Sequence, residues 1–278
     1  MEKLIRIQFQ LDLCLKRGIE PKMKESVLLE KREFYQNNKN RLSKEIEEKI
    51  EKAFDIDFTY HSTTIEGNTL SLIETKTVIE DKISIGGKEL REIYEVANHS
   101  KAYEYIKKCI ENKEKLTEEK IKDIHQILTE NILQGGIYRH TDVVITGATH
   151  TPPTPNEMYN QLRFFYDDLM KKEETMEAIE LSAWTHAEFV KIHPFSDGNG
   201  RTARLIMNYQ LMAKGFLPII IKVEERLEYY NHLDLYATTG DIKPFMQMIE
   251  KLEEKRLDEI NQIIKQEIEN KGGQTSEK

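Results

Sequence analysis

Between Ile192 and Leu205 the chain reads IHPFSDGNGRTARL, a stretch that holds a histidine, a carboxylate, two glycines around an asparagine, and two arginines. These residue types suit chemistry at phosphorus. In a loop that precedes a helix, Gly198, Asn199 and Gly200 can set successive backbone N–H groups in a concave anion nest at the positive helix end. Phosphate is the natural occupant. Arg201 and Arg204 stand three apart in the first turns of that helix, so both guanidinium groups reach one polyphosphate. Asp197 beside such a nest is repelled by the anion unless a cation lies between them, which implies magnesium held by one carboxylate, phosphate oxygens and water. His193 has the side chain that titrates nearest neutrality and is placed to take a proton from an incoming hydroxyl. The set as a whole reads as a site that binds a nucleoside triphosphate and activates a hydroxyl against phosphorus.

Each feature alone has a blander explanation: a structural histidine, an ordinary turn, a solvated helix face. No structural need accounts for all of them in one loop. His186, His193 and Asp197 can also be read as the ligands of a metal hydrolase, but that reading gives GNG and the arginines no role.

The elements that must position these residues are helices. Charged residues make up 32 % of the 278, prolines are few, and apolar residues recur at spacings of three and four, so the fold class expected is all-α. Phe54, Phe58, His61 and Ile65 mark one helix face that Gly67 ends. Ser71 and Glu74 have capping-box spacing, with Leu72, Ile73, Val78 and Ile79 as apolar contacts, and a longer helix follows from about 88 to 110. Thr117 reads as the N-cap of a helix ending near Gly135, with a staple between Leu116 and Ile121. DVVIT and the prolines after it predict a short β-hairpin or flap over about 137–153. Met158, Leu162, Phe165 and Leu169 return to helical spacing, a helix over about 177–192 delivers the catalytic loop, and the next carries Leu205, Tyr209 and Met212 towards Gly215. The last segment, Phe245 to Ile268, is amphipathic, and KGGQTSEK reads as a disordered tail.

With 41 basic against 49 acidic residues the net charge is −8, so nonspecific nucleic-acid binding is not expected. No window has the length and apolarity of a membrane span and the N-terminus lacks a signal-type apolar region, which points to a cytoplasmic protein with no membrane partner. Cys14 and Cys109 make neither a disulfide framework nor a thiolate metal cluster.

HPFSDGNGRTAR resembles the signature of the Fic (filamentation induced by cAMP) proteins, His-x-Phe-x-Asp/Glu-Gly-Asn-Gly-Arg-x-x-Arg, at every specified position. The resemblance extends over about 60–250, including the flap and YYNHLDLYATTGDIKPF, which is similar to the family's nucleotide-base pocket with Tyr229, Tyr230 and a closing Gly-Asp turn. It implies a Fic-type helical bundle, with a catalytic loop over 193–204, and transfer of AMP from ATP to a Ser, Thr or Tyr hydroxyl of a target protein, or of this chain itself with its 12 tyrosines. It assigns His193 as general base, Asp197 as Mg2+ ligand, Gly198, Asn199, Gly200 and Arg201 as phosphate cradle, and Arg204 as the γ-phosphate contact. The flap residues Val143, Val144, Ile145, Thr146 and Gly147 would hold the target segment by strand-like pairing. Thr238 stands where relatives often have asparagine.

Upstream, STTIEGN is similar to the family's inhibitory motif, with Ser62, Glu66 and Gly67 at its specified positions on a helix over about 57–67. Glu66 paired with Arg204 would remove the partner that a γ-phosphate needs and add negative charge where ATP must sit. In some relatives the same glutamate positions water to remove AMP, so the direction of transfer stays open. Other relatives move phosphate, phosphocholine or UMP, against which the intact Arg201 and Arg204 argue; a nucleotide-binding module without turnover is the remaining alternative. The expected organisation is an N-terminal helical extension over 1–56, the core over 57–250, and a C-terminal helix and tail over 251–278 that can pack on its own core or against a second copy in a homodimer.

Overall fold

The structure, a computed structural model, describes residues 19–273; Cys14 and the last residues of the expected tail, 274–278, lie outside the described residues. Among the described residues ten α-helices follow in order: α1 Ile19–Asn38, α2 Lys44–Ile65, α3 Leu72–Lys76, α4 Leu90–Glu111, α5 Glu118–Leu128, α6 Pro155–Thr175, α7 Ala178–Ile192, α8 Asn199–Ala213, α9 Arg226–Thr239 and α10 Lys243–Gly273. The fold is all-α, as the spacing predicts. Residues Lys44–Glu253 form the larger of two compact units. In the smaller one, α1 and the part of α10 from Glu254 onward share an ion pair network in which the Lys31 ammonium meets Glu254 (2.9 Å) and Asp258 (2.8 Å).

The larger unit is organised around α8. From Arg201 to Leu211 every residue of that helix is buried, polar and apolar alike, so it is surrounded rather than laid on a surface. Its apolar residues Ala203, Leu205, Ile206 and Tyr209 join Phe54 and Phe58 of α2, Tyr103 and Ile106 of α4, Ile121, Ile124 and Leu128 of α5, Met158, Leu162, Phe165 and Leu169 of α6, and Leu181, Phe189 and Ile192 of α7 in one core. Local signals start these helices. The Ser71 hydroxyl accepts the Glu74 N–H while the Glu74 carboxylate accepts the Ser71 N–H (2.7 Å), Thr117 accepts the Lys120 N–H, and Thr154 and Glu157 repeat the reciprocal pattern with Pro155 at the first helical position.

Four expectations change. α2 begins at Lys44, so residues 44–56 belong to the helix that leads to Glu66, which follows its last residue, Ile65. α5 ends at Leu128 rather than near Gly135, and the chain then doubles back against the helix, where the Gly136 N–H reaches the His125 Nδ1 (2.9 Å). A Cβ on Gly135 would lie 2.3 Å from Thr129 Oγ1, which is why glycine stands there. Leu72 and Ile73 are 43 % and 78 % exposed and add nothing to the core, whereas Val78 packs with Leu70 and Val96. α10 continues through 271–273, which the composition reads as tail.

The flap is not a hairpin. No strand occurs among the described residues, and 137–154 form an irregular loop with one tight turn, in which the Ala148 N–H meets the Ile145 carbonyl (3.2 Å) and Gly147 has φ 86°. The β-prone run from Val143 to Thr146 has no neighbouring strand to complete a ladder, and propensity without a partner does not make a sheet.

Burial also fixes the charge of several histidines. His99 and His186, fully enclosed, are pushed well below the usual histidine range by burial, and His125 and His193 are pushed down to about 4 chiefly by the same cause. The unfolded chain protonates these rings near pH 6.5 while the folded one resists, so their stability contribution is complete above 6.5 and is lost as pH falls. We expect the thermal midpoint to be flat in these terms from pH 8 to 7 and to drop from pH 6.5 towards 4, with His125 and His193 each costing about 1.4 kcal/mol per pH unit. A midpoint that does not fall across that window in scanning calorimetry contradicts the assignment.

Candidate active site

The catalytic loop joins α7 to α8, and every turn of it is pinned. His193 is the C-terminal residue after α7 and has φ 52°, ψ 60°, the left-handed region that a residue with a β-carbon enters only when its surroundings impose it. Its N–H donates to the Phe189 carbonyl (3.0 Å) and its carbonyl accepts the Arg139 Nε–H (2.8 Å). Phe195 is wholly buried with its ring stacked on His125 at 3.6 Å between centroids. Asn199 closes the loop by exchanging two hydrogen bonds with the Phe195 backbone, at 2.9 and 2.8 Å. Its side chain therefore shapes the cradle, which leaves the backbone N–H groups to line it.

Gly198 precedes α8 with φ 77°, and the Thr202 N–H makes a helical bond to its carbonyl (3.0 Å). Amides earlier in that turn have no carbonyl one turn back to bond, so the N-terminus of α8 is the positive end of a helix aimed at the loop. Against it lies Glu66. A Cβ on Gly200 would fall 2.2 Å from the Glu66 Oε1, so glycine is needed there for a carboxylate to approach the helix start.

Arg204 is 1 % exposed, yet each arm of its guanidinium has an acceptor. Nε donates to the Ser62 hydroxyl (2.9 Å), Nη2 to the Ser62 carbonyl (2.7 Å) and to Glu66 Oε1 (2.8 Å), and Nη1 to the Tyr229 hydroxyl (3.3 Å). Burial works against the cation, but the fields of Tyr229 and Glu66 outweigh it and raise the guanidinium above its usual range. Tyr229 in turn sits 3.0 Å from the His186 Nε2, which completes a buried relay from Arg204 to a neutral imidazole. His186 is thus engaged by Tyr229, and among the described residues no group of three His, Cys, Asp or Glu side chains converges to hold a metal.

Asp197 is charged and crowded by cations. Burial alone would raise its carboxyl, but Arg201, the Gly198 N–H (2.6 Å) and Arg91 together hold it below the usual carboxylate range. Arg201, 2 % exposed, lies between Asp197 (3.5 Å) and Glu95 (3.3 Å), and Arg91 of α4 reaches from Glu95 (3.2 Å) to the Asp197 Oδ2. Glu95 also accepts the Asn68 amide (3.0 Å), which ties the end of the Glu66 segment to α4.

Sequence reasoning marks His193, Asp197, Gly198, Gly200, Arg201 and Arg204, and the fold brings them together with Ser62 and Glu66. Gly67 ends that segment with φ 102°. Tyr229 is placed in the hydrogen-bond shell of Arg204, and the Tyr230 hydroxyl meets the Ile65 carbonyl (3.3 Å). Thr238 spends its hydroxyl on the Asp234 and Leu235 carbonyls of its own helix. Val143 to Gly147 lie in the irregular loop with Val144 84 % exposed, not in a strand.

Three positioning residues carry no sequence signal that singles them out. His125 accepts the Gly136 N–H at Nδ1 (2.9 Å), which puts its own proton on Nε2 for donation to the Asp197 carbonyl (2.9 Å). Glu95 links Arg91, Arg201 and Asn68 as described. Arg139, 1 % exposed, donates to the carbonyls of His193, Thr141 and Pro153, so one guanidinium gathers both ends of the flap and the backbone of the histidine.

Known proteins resemble this chain in sequence and in fold. Residues 115–211 match the model of the Fic/DOC family. A protein adenylyltransferase Fic from Nematostella vectensis is 39 % identical over 203 residues, 72 % of this chain and 47 % of that protein, so the chain spans about half the length of this curated relative. Among solved structures, a Fic domain containing signaling protein from Bacteroides thetaiotaomicron superposes with TM-score 0.75 at 28 % identity, over 84 % of this chain and 97 % of that one. Fic-1 from C. elegans superposes with TM-score 0.77 over 91 % of this chain and 74 % of that one. At 31 % identity to Fic-1 over that share, and with the site's loop and buried arginines in place, the chain belongs to the Fic/DOC family.

Proposed function

We propose that this chain is a protein adenylyltransferase that moves AMP from ATP to a Ser, Thr or Tyr hydroxyl, and that the geometry described is its inhibited state. The observation that carries this reading is the Glu66 carboxylate, bonded to Arg204 at 2.8 Å and seated against Gly200 at the start of α8. A carboxylate in that place stands in for a phosphate: it takes the guanidinium and the helix N-terminus that a γ-phosphate requires. Relatives named protein adenylyltransferase, 39 % and 36 % identical to this chain, support the choice of AMP.

The chemistry follows from the residues. His193, held neutral by burial, has a free electron pair for the proton of the target hydroxyl. The hydroxyl oxygen then forms a bond to the α-phosphorus as the bond from that phosphorus to the bridging oxygen breaks, and pyrophosphate leaves. Arg201, the backbone N–H groups at 198–200 and Arg204 stabilise the charge that builds on the phosphates. Asp197 fits a magnesium ion: it is ionised, 38 % exposed, next to the nest, and without converging protein ligands, so phosphate oxygens and water would complete the shell. When bound, that ion neutralises phosphate charge. The irregular flap, rooted at Arg139, would supply backbone outside any helix for a target segment to lie along. The site of action proposed is the cytoplasm, on a protein target, this chain included; no helix among the described residues is long and apolar enough to cross a membrane. The exposed Leu72, Ile73 and Leu90 are available to a second copy in a homodimer.

Intact-protein mass spectrometry after incubation with Mg-ATP tests this reading. Glu66→Gly should add one AMP mass to the chain, or to an added target, at least tenfold faster than the wild type, since it frees Arg204 and the helix start. Glu66→Gly/His193→Ala should lose the gain, and so should Glu66→Gly in excess EDTA. Calorimetric binding of ATP by Glu66→Gly without any transfer would favour a nucleotide-binding module instead, and a different added mass would assign another donor.

A further inference from the structure

We infer that Arg91 is a competing counter-ion at Asp197: it occupies the carboxylate oxygen that a divalent cation needs and must leave before the cation binds. The inference rests on the metal role proposed for Asp197. One oxygen, Oδ1, is engaged by the Gly198 N–H at 2.6 Å and by Arg201 at 3.5 Å. The other, Oδ2, is the acceptor for Arg91 Nη2. The carboxylate therefore has a cationic or hydrogen-bond partner on each oxygen, and a dication placed at Oδ2 meets a guanidinium there.

The two arginines differ in their freedom to move. Arg201 is 2 % exposed and locked between Glu95 and Asp197 inside the core, so it cannot withdraw. Arg91 is 53 % exposed and lies at the site's edge, one turn before Glu95 on α4. Its Nε already meets the Glu95 Oε1 at 3.2 Å. Swinging the terminal nitrogens away from Asp197 therefore keeps one ion pair and returns the rest of the group to water, which makes it the partner that yields. Charge leads to the same result: Arg91 and Arg201 together balance Asp197 and Glu95, and removing Arg91 leaves the cluster one net negative charge, which tolerates a dication better. Because Glu95 also holds Asn68 at 3.0 Å, the competition takes place beside the root of the segment that carries Glu66.

Titration of the full chain with Mn2+ in the absence of nucleotide, with free Mn2+ read by electron paramagnetic resonance, tests this on binding rather than turnover. Arg91→Gln, which keeps the length and removes the charge, should bind Mn2+ at least fivefold more tightly than the wild type, and Arg91→Lys should stay close to the wild type. Asp197→Ala, alone or combined with Arg91→Gln, should abolish the gain. Loss of Mn2+ binding in Asp197→Ala with Arg91→Gln equal to or weaker than the wild type, or no measurable site in Arg91→Gln, overturns the inference while Asp197 keeps its proposed role. Equal binding by Asp197→Ala overturns the metal assignment itself. Thermal midpoints of all variants within a few degrees of the wild type confirm that folded proteins are compared.

Discussion

A guanidinium enclosed by protein is the constraint on which this site depends. Arg204 is carried into the interior by α8, where desolvation of a cation costs several kcal/mol unless its hydrogen bonds are all made. Ser62 supplies two acceptors, Tyr229 a third and Glu66 the charge. Ser62 stands on α2, which Phe54 and Phe58 anchor in the core, and the Tyr229 hydroxyl also meets the His186 Nε2. Only the carboxylate has a substitute, because any anion that reaches the start of α8 can replace it. The site is thus built for an anion, and the protein provides one of its own.

That internal anion arrives on an element that cannot depart as a whole. Phe54 and Phe58 anchor α2 in the same core as α8, and Ser62 is itself bonded to Arg204. Past Ser62 the helix ends at Ile65 and Gly67 takes φ 102°. On the function proposed, a carboxylate tethered this closely competes at a high effective concentration, and activity would be a matter of how often the last turn opens rather than of whether it dissociates. Asn68, bonded to Glu95 and to the Glu92 carbonyl, sets the far limit of that opening.

The rest of the site is held stiff by polar groups that face the backbone. Asn199 bonds the Phe195 amide and carbonyl, His125 holds the Asp197 carbonyl, and Arg139 holds three carbonyls including that of His193. None of these side chains has to touch a substrate. They keep a left-handed histidine and a tight Gly-Asn-Gly turn in a geometry that an isolated loop would not hold, and pre-organisation of this kind is what lets fixed dipoles stabilise charge without rearranging.

Residue types and spacing were enough to determine that the chain is helical and where α6, α7 and α8 lie, and they pointed to 193–204 as a phosphate-directed stretch, because helical periodicity, caps and glycine nests are local properties. The resemblance carried by STTIEGN pointed to Glu66 and Arg204 across 138 positions, but only the packing of α2 against α8 sets that carboxylate against Gly200. The β-prone flap went the other way, since strand propensity is realised only beside another strand and the fold offers none. Arg91, Glu95, His125 and Arg139 look like ordinary surface or helix residues in the sequence. Their roles come from long-range encounters, Arg91 with Asp197 and Arg139 with the His193 carbonyl, and such encounters exist only once the chain has folded, because what gives a buried polar group its role is the partner that satisfies it.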